Sequence, residues 1–135
     1  MKELTLAASL ENIAGVTAFI DEQLEALDCS MKTQMQIDIA IDELFGNIAR
    51  YAYPDGMGDA TVRFDFDEVT RMASIAFIDG GVPFNPMEKT DPDVTLAAEE
   101  REVGGLGIFM VKKTMDKLAY RYEDGKNILT LYKYI

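Results

Sequence analysis

A two-layer α/β sandwich, with one mixed, largely antiparallel sheet and helices packed on one face, is the fold class this sequence predicts. Three observations lead to it. Residues 37–53, IDIAIDELFGNIARYAY, place Ile37, Ile41, Leu44, Ile48 and Ala52 at steps of four, three, four and four, the repeat that lines one side of a helix. Residues 60–66 alternate apolar and polar side chains, and residues 71–78 (RMASIAFI) are more uniformly apolar, so the two read as a half-buried strand followed by an interior one running antiparallel to it. Residues 117–123 and 127–134 alternate at period two around Asp124-Gly125, a strong hairpin signal. The full order is strand, two helices, two strands, loop, helix, two strands, which one sheet with helices on a single face accommodates.

Taken from the start, Leu4 and Leu6 suit a short first strand. Ser9, followed by Leu10, Ile13, Val16 (or Ala14), Phe19 and Leu24, predicts an N-capped amphipathic helix ending near Asp28. Ser30 or Thr33 starts the central helix, which stops at Tyr53-Pro54 as expected before a proline, and PDGMGD follows as a loop. A turn through residues 67–70 joins the next two strands. Residues 79–107 are loop-rich, with Pro83, Pro86, Pro92, a short helix anticipated at 94–99 and a glycine cluster; a stretch this long inside a compact domain is usually functional, and residues 86–101 within it are expected to form a lid. Leu106, Phe109 (or Met110), Lys113 and Met115 predict a helix of about three turns entered directly from the glycines.

With 135 residues, 48% of them apolar, the chain is expected to form one domain, 1–135, with a sizeable core. Its 24 acidic and 13 basic residues give a net charge of −11, which repels nucleic acid and anionic membrane and attracts a basic protein partner. A lone Cys29 forms no internal disulfide, and the lack of histidine rules out a zinc cluster or a His-based triad. The N-terminus has scattered charges and no apolar run of signal or membrane-spanning length, so a reducing cytoplasm is expected.

Three stretches carry chemistry. Glu43 and Asn47 stack on adjacent turns at the border of the apolar stripe, where a carboxylate and a carboxamide can line a pocket; alone, the pair also reads as ordinary surface residues. Gly46 between them suggests that something passes close to the helix backbone. Asp79 stands at the end of the interior strand before Gly80 and Gly81, an acceptor suited to an adenine amino group, although a tight D-G-G turn has the same sequence. Gly104, Gly105 and Gly107 open a helix whose N-terminus offers backbone N–H groups to phosphates, although a hinge or close-packed turn fits equally. No Walker A motif occurs.

The ordered set is more specific than its parts. ELFGNIARYAY, IDGGVPFNP and VGGLGIFMVKK resemble the N, G1 and G2 boxes of the GHKL (Bergerat) ATP-binding fold, and the small size with the PFNP continuation resembles the bacterial anti-sigma-factor serine/threonine protein kinases over essentially the whole chain. The resemblance implies ATP and Mg²⁺ as cofactors. It assigns Glu43 as general base, Asn47 as Mg²⁺ ligand, Asp79 as acceptor from adenine with Gly81 allowing close approach, and Gly105, Leu106 and Gly107 as the phosphate-facing turn. Thr130 matches a threonine near the adenine, although a strand threonine is also simply structural. Two positions depart from the pattern: Tyr51 stands where many relatives have histidine, and Val103 is adjacent to the glycines where some have arginine, with Arg101 slightly upstream. The implied function is an anti-sigma factor that sequesters a sigma factor and phosphorylates a small antagonist protein, with a homodimer left open. A non-catalytic ATP-dependent binding module and a detached histidine-kinase-like ATPase domain are the alternatives.

Overall fold

The computed structural model describes residues 1–88 and 105–135. The helix anticipated at 94–99, most of the lid, Arg101 and Gly104 therefore lie outside the described residues. The strands are β1 (Lys2–Ala7), β2 (Asp59–Asp67), β3 (Met72–Asp79), β4 (Lys117–Glu123) and β5 (Lys126–Tyr134), and the α-helices are α1 (Ile13–Ala26), α2 (Met31–Tyr51) and α3 (Gly105–Thr114). They form one five-stranded sheet in the order β1-β2-β3-β5-β4. All four pairings are antiparallel, so the sheet expected to be mixed and largely antiparallel has no parallel pair among the described residues.

The apolar strand β3 lies at the centre of that order, as its composition requires. Its inward residues Ala73, Ile75 and Phe77 are buried with Val62 and Phe64 of β2 and Leu129 and Leu131 of β5. Asp124 (φ 52°) and Gly125 (φ 76°) turn β4 into β5, both in the left-handed region that a two-residue type I′ turn demands.

α2 buries Ile37, Ala40, Ile41, Leu44 and Phe45 against the sheet, and Ser30 is its N-cap, its hydroxyl accepting from the Thr33 N–H at 3.2 Å. α1 starts later than Ser9 implied. A 3₁₀ turn (Leu10–Asn12) comes first, the Ser9 hydroxyl makes no capping bond, and Asn12 Nδ2 instead donates to the Ala7 carbonyl at 2.8 Å. The fully buried α1 stripe is Val16, Ile20 and Leu24, while Leu10 is exposed. α3 is rotated from its expected phase: Ile108 and Val111 are in the core with Met115, just past its end, while Lys113 reaches over the Phe109 ring at 5.2 Å. Burying branched aliphatic residues leaves a lysine with its ammonium group in water.

Candidate functional site

Asp79 is the last residue of β3 and only 5% exposed. A buried carboxylate requires donors. The Gly81 N–H provides one at 2.9 Å and Asn127 Nδ2 another at 3.0 Å, both to Oδ1. These leave Oδ2 as the oxygen to meet a donor on a ligand.

Asn127 of β5 is opposite Asp79 in register and 6% exposed. Besides Asp79, its Nδ2 donates to the Val82 carbonyl at 2.9 Å and lies 3.4 Å from that of Gly81. Its Oδ1 accepts from the Phe84 N–H at 3.1 Å and from the Tyr120 hydroxyl. One side chain thus ties the end of β3, residues 81–84 and β4 together. Burial pushes the Tyr120 phenol above its ordinary pKa. Sequence reasoning treated Asn127 merely as the start of a strand; its signal was an amide at an inward position whose period-two successors are Leu129 and Leu131.

Thr130 requires a correction. Three residues from Asn127, it falls on the other side of the pleat, where it lines a shallow depression with Ala119, Arg121, Ile128 and Tyr132 on the helix-free face. It is separated from Asp79 by the thickness of the sheet, and the polar β5 side chain beside Asp79 is Asn127.

Gly81 is needed for packing within the fold. A Cβ there would overlap the Ala52 carbonyl at the end of α2, and the Val82 N–H donates to that carbonyl at 2.9 Å. Only glycine lets the chain after β3 lie against the helix backbone. Tyr53 reinforces the junction: its hydroxyl donates to the Asp59 carbonyl at 2.6 Å and accepts from the Gly80 N–H at 2.8 Å, and burial pushes this phenol upward.

Between α2 and the sheet, these residues border a cleft with Leu44, Ile48 and Phe77 among its apolar walls and with Asn47, Asp79 and Asn127 as convergent polar groups. Tyr51 and Phe84, ring centroids 6.2 Å apart, also line it. An apolar slot with a buried carboxylate at its end fits a flat heteroaromatic base bearing an amino donor.

One turn before Asn47 on α2, Glu43 accepts from Asn47 Nδ2 at 3.4 Å. That orientation leaves Asn47 Oδ1 as a hard oxygen donor, the ligand type that Mg²⁺ takes. A Cβ at Gly107 would overlap the Glu43 carboxylate, so the third residue of α3 lies directly against it. Glu43, Asn47 and the first turn of α3 are therefore together. Among the described residues no cluster of three acidic or sulfur ligands offers a protein-only metal cage, so Asn47 would share an ion with a ligand's own oxygens. Gly105 begins α3; Arg101 lies outside the described residues. The protein atoms closest to Gly46 are those of the Arg50 guanidinium, whose Nη1 is 2.9 Å from where a Cβ would sit.

Comparison with known proteins agrees with this architecture. The family model described as "Histidine kinase-like ATPase domain" matches residues 6–133. The chain is 32% identical to the serine-protein kinase RsbW of Bacillus cereus over 98% of its own length and 84% of that protein. It is 26% identical to the RsbW of Bacillus mycoides over the same shares, and 26% identical to the serine/threonine-protein kinase BtrW of Bordetella bronchiseptica over 76% of this chain and 71% of that one. With an ATPase-domain match across nearly the whole sequence and the expected boxes on the expected elements, this chain belongs to the histidine kinase-like (GHKL) ATPase family, among relatives named as serine- and serine/threonine-protein kinases.

Proposed function

We propose that residues 1–135 act as one ATP- and Mg²⁺-dependent serine/threonine protein kinase domain, a cytoplasmic anti-sigma factor that phosphorylates a small antagonist protein and holds a sigma factor when unphosphorylated antagonist is scarce. The observation that carries this reading is the convergence of Glu43, Asn47 and the first turn of α3 beside the cleft that ends at Asp79. The partners are inferred from the resemblance and from relatives named as serine-protein kinases. No described helix is long and apolar enough to cross a membrane.

Asp79 accepts from the amino group of the base, and the apolar walls exclude water from it. Asn47 Oδ1 and the α3 N-terminus attend the phosphate end. Bound Mg²⁺ would supply neutralisation of charge on the phosphates. Glu43 takes the proton of the attacking Ser or Thr hydroxyl as that oxygen bonds to the γ-phosphorus and ADP departs.

Incubation with the antagonist protein from its own genome and labelled ATP tests the reading. Glu43→Gln is expected to keep ATP and partner binding and to slow transfer by about 10²–10⁴. ATP-dependent partner binding without transfer by the wild type would assign the chain to the binding-module alternative instead.

A further inference from the structure

Three large exposed aliphatic side chains share one face of α2, and a fourth, on α3, adjoins them. Met31 (80% exposed), Met35 (57%) and Ile39 (59%) follow at four-residue steps on α2, and Met110 of α3 (46%) stands beside Ile39. Four-residue steps keep them in one stripe, opposite the buried Ile37, Ile41 and Leu44. Continuing along α2, the stripe enters a groove of about 330 Å³ lined by Ile39, Asp42, Glu43, Arg50, Gly107 and Met110. Glu43 thus opens onto this groove. Asn47, which donates to it, faces the nucleotide cleft, whereas Glu43 itself lines this separate, open groove.

We infer that the Met31–Met35–Ile39–Met110 surface is the docking site for the hydroxyl-bearing protein substrate, an acceptor with an aliphatic anchor beside its Ser or Thr and basic residues at the rim. The inference rests on the kinase reading above. A base must be reached by the hydroxyl it deprotonates, and the groove is where Glu43 meets solvent. Apolar surface continuous with that opening supplies an anchor, and unbranched methionines adapt to different partner shapes. Two carboxylates, Asp42 and Glu43, against the one guanidinium of Arg50 leave the groove net acidic, and on a chain of net charge −11 this favours basic over acidic flanks. At about 1.5 Å per residue the stripe runs about 12 Å from Met31 to Ile39, and Glu43 lies about 6 Å further along the axis. At about 3.4 Å per extended residue, an acceptor segment of about five or six residues, or one face of a folded acceptor, reaches from Glu43 to Met31.

The test measures phosphoryl transfer from labelled ATP to the antagonist protein by wild type, Met35→Asp, Ile39→Asp and Met35→Leu, with ATP affinity and oligomeric state recorded for each. All the altered side chains are exposed, so unchanged ATP affinity is the expected sign of an intact fold. Both Asp variants should lose at least about tenfold in kcat/KM, a loss of about 1.4 kcal/mol expressed mainly in KM, while Met35→Leu retains wild-type values. Transfer by the wild type that the Asp variants match within twofold would overturn the docking surface and leave the kinase reading intact. No transfer by the wild type would defeat that reading and the surface with it. A change in oligomeric state of the Asp variants would assign the stripe to self-association and overturn the inference.

Discussion

Replacing Asn127 by Asp changes one atom type at the most connected point of the site. The amide nitrogen that now donates to Asp79 Oδ1 at 3.0 Å becomes an acceptor, so two carboxylates face one another where the parent residues are 5% and 6% exposed. Two full charges about 3 Å apart at an effective dielectric constant of about 20 repel by about 5 kcal/mol, a ceiling that the pair avoids by retaining one proton. The retained proton also restores a donor between the two groups. The folded protein then binds a proton that the unfolded chain releases near pH 4, so stability is fully present below that pH and is lost as pH rises through the raised folded value. Asn127→Ala lacks this proton. It removes the Asn127 acceptor from the Phe84 N–H and the Tyr120 hydroxyl and the donor to the Val82 carbonyl, and is expected to lose about 1–3 kcal/mol with little dependence on pH. Urea denaturation of both variants and wild type at pH 5 and pH 8 is the assay. The Asp variant should approach wild type at pH 5 and fall well below it at pH 8. A pH-independent gap between them would refute a buried proton-sharing pair and with it the placement of Asn127 against Asp79.

Gly81→Ala forces a Cβ into the Ala52 carbonyl and should destabilise by about 1–3 kcal/mol while weakening ATP binding, both readable by calorimetry. Gly46→Ala should have the opposite sign: its Cβ meets only the mobile end of Arg50, so the gain in helix propensity, up to about 1 kcal/mol, should appear as a higher midpoint in urea. The carboxyls of Asp21 and Asp38 face each other between α1 and α2, and each has a buried Oδ1 without a donor among the described residues. Burial first, then the contact with Asp21, pushes Asp38 up to about 7, with the Glu25 charge adding in the same direction. The folded state therefore holds a proton that the unfolded state has lost, and this contribution declines between about pH 4 and pH 7. Asp38→Asn should become steadily more stable relative to wild type across that window, as measured by thermal melts; a flat difference would remove the shared proton.

The fold was legible wherever burial and local geometry agreed. The α2 stripe, the two central strands and the Asp124-Gly125 turn each repeat a signal over several residues, and all stand where that signal puts them. Legibility failed where a choice depended on a distant partner. Ser9 has the chemistry of a cap, but Asn12 found the Ala7 carbonyl first. Thr130 and Asn127 are both polar residues on one strand, and only the register against β3 decides which reaches Asp79. Gly81 was marked for close approach by a ligand, and the atoms that lie against it in the structure belong to the end of α2. Gly46 was marked for the same reason, and its neighbour is a side chain of its own helix. Glycine in a sequence reports that space is short without naming what fills it.

The Gly81–Ala52 junction makes α2 a brace. The helix is 21 residues long, about 30 Å, and is clamped at its C-terminal end to the backbone that follows Asp79. Along its length Ile37, Ala40, Ile41, Leu44 and Phe45 are buried in the core, so the backbone at the end of the slot is tied to the stiffest part of the molecule. The carboxylate that meets a ligand therefore stands in position before any ligand arrives.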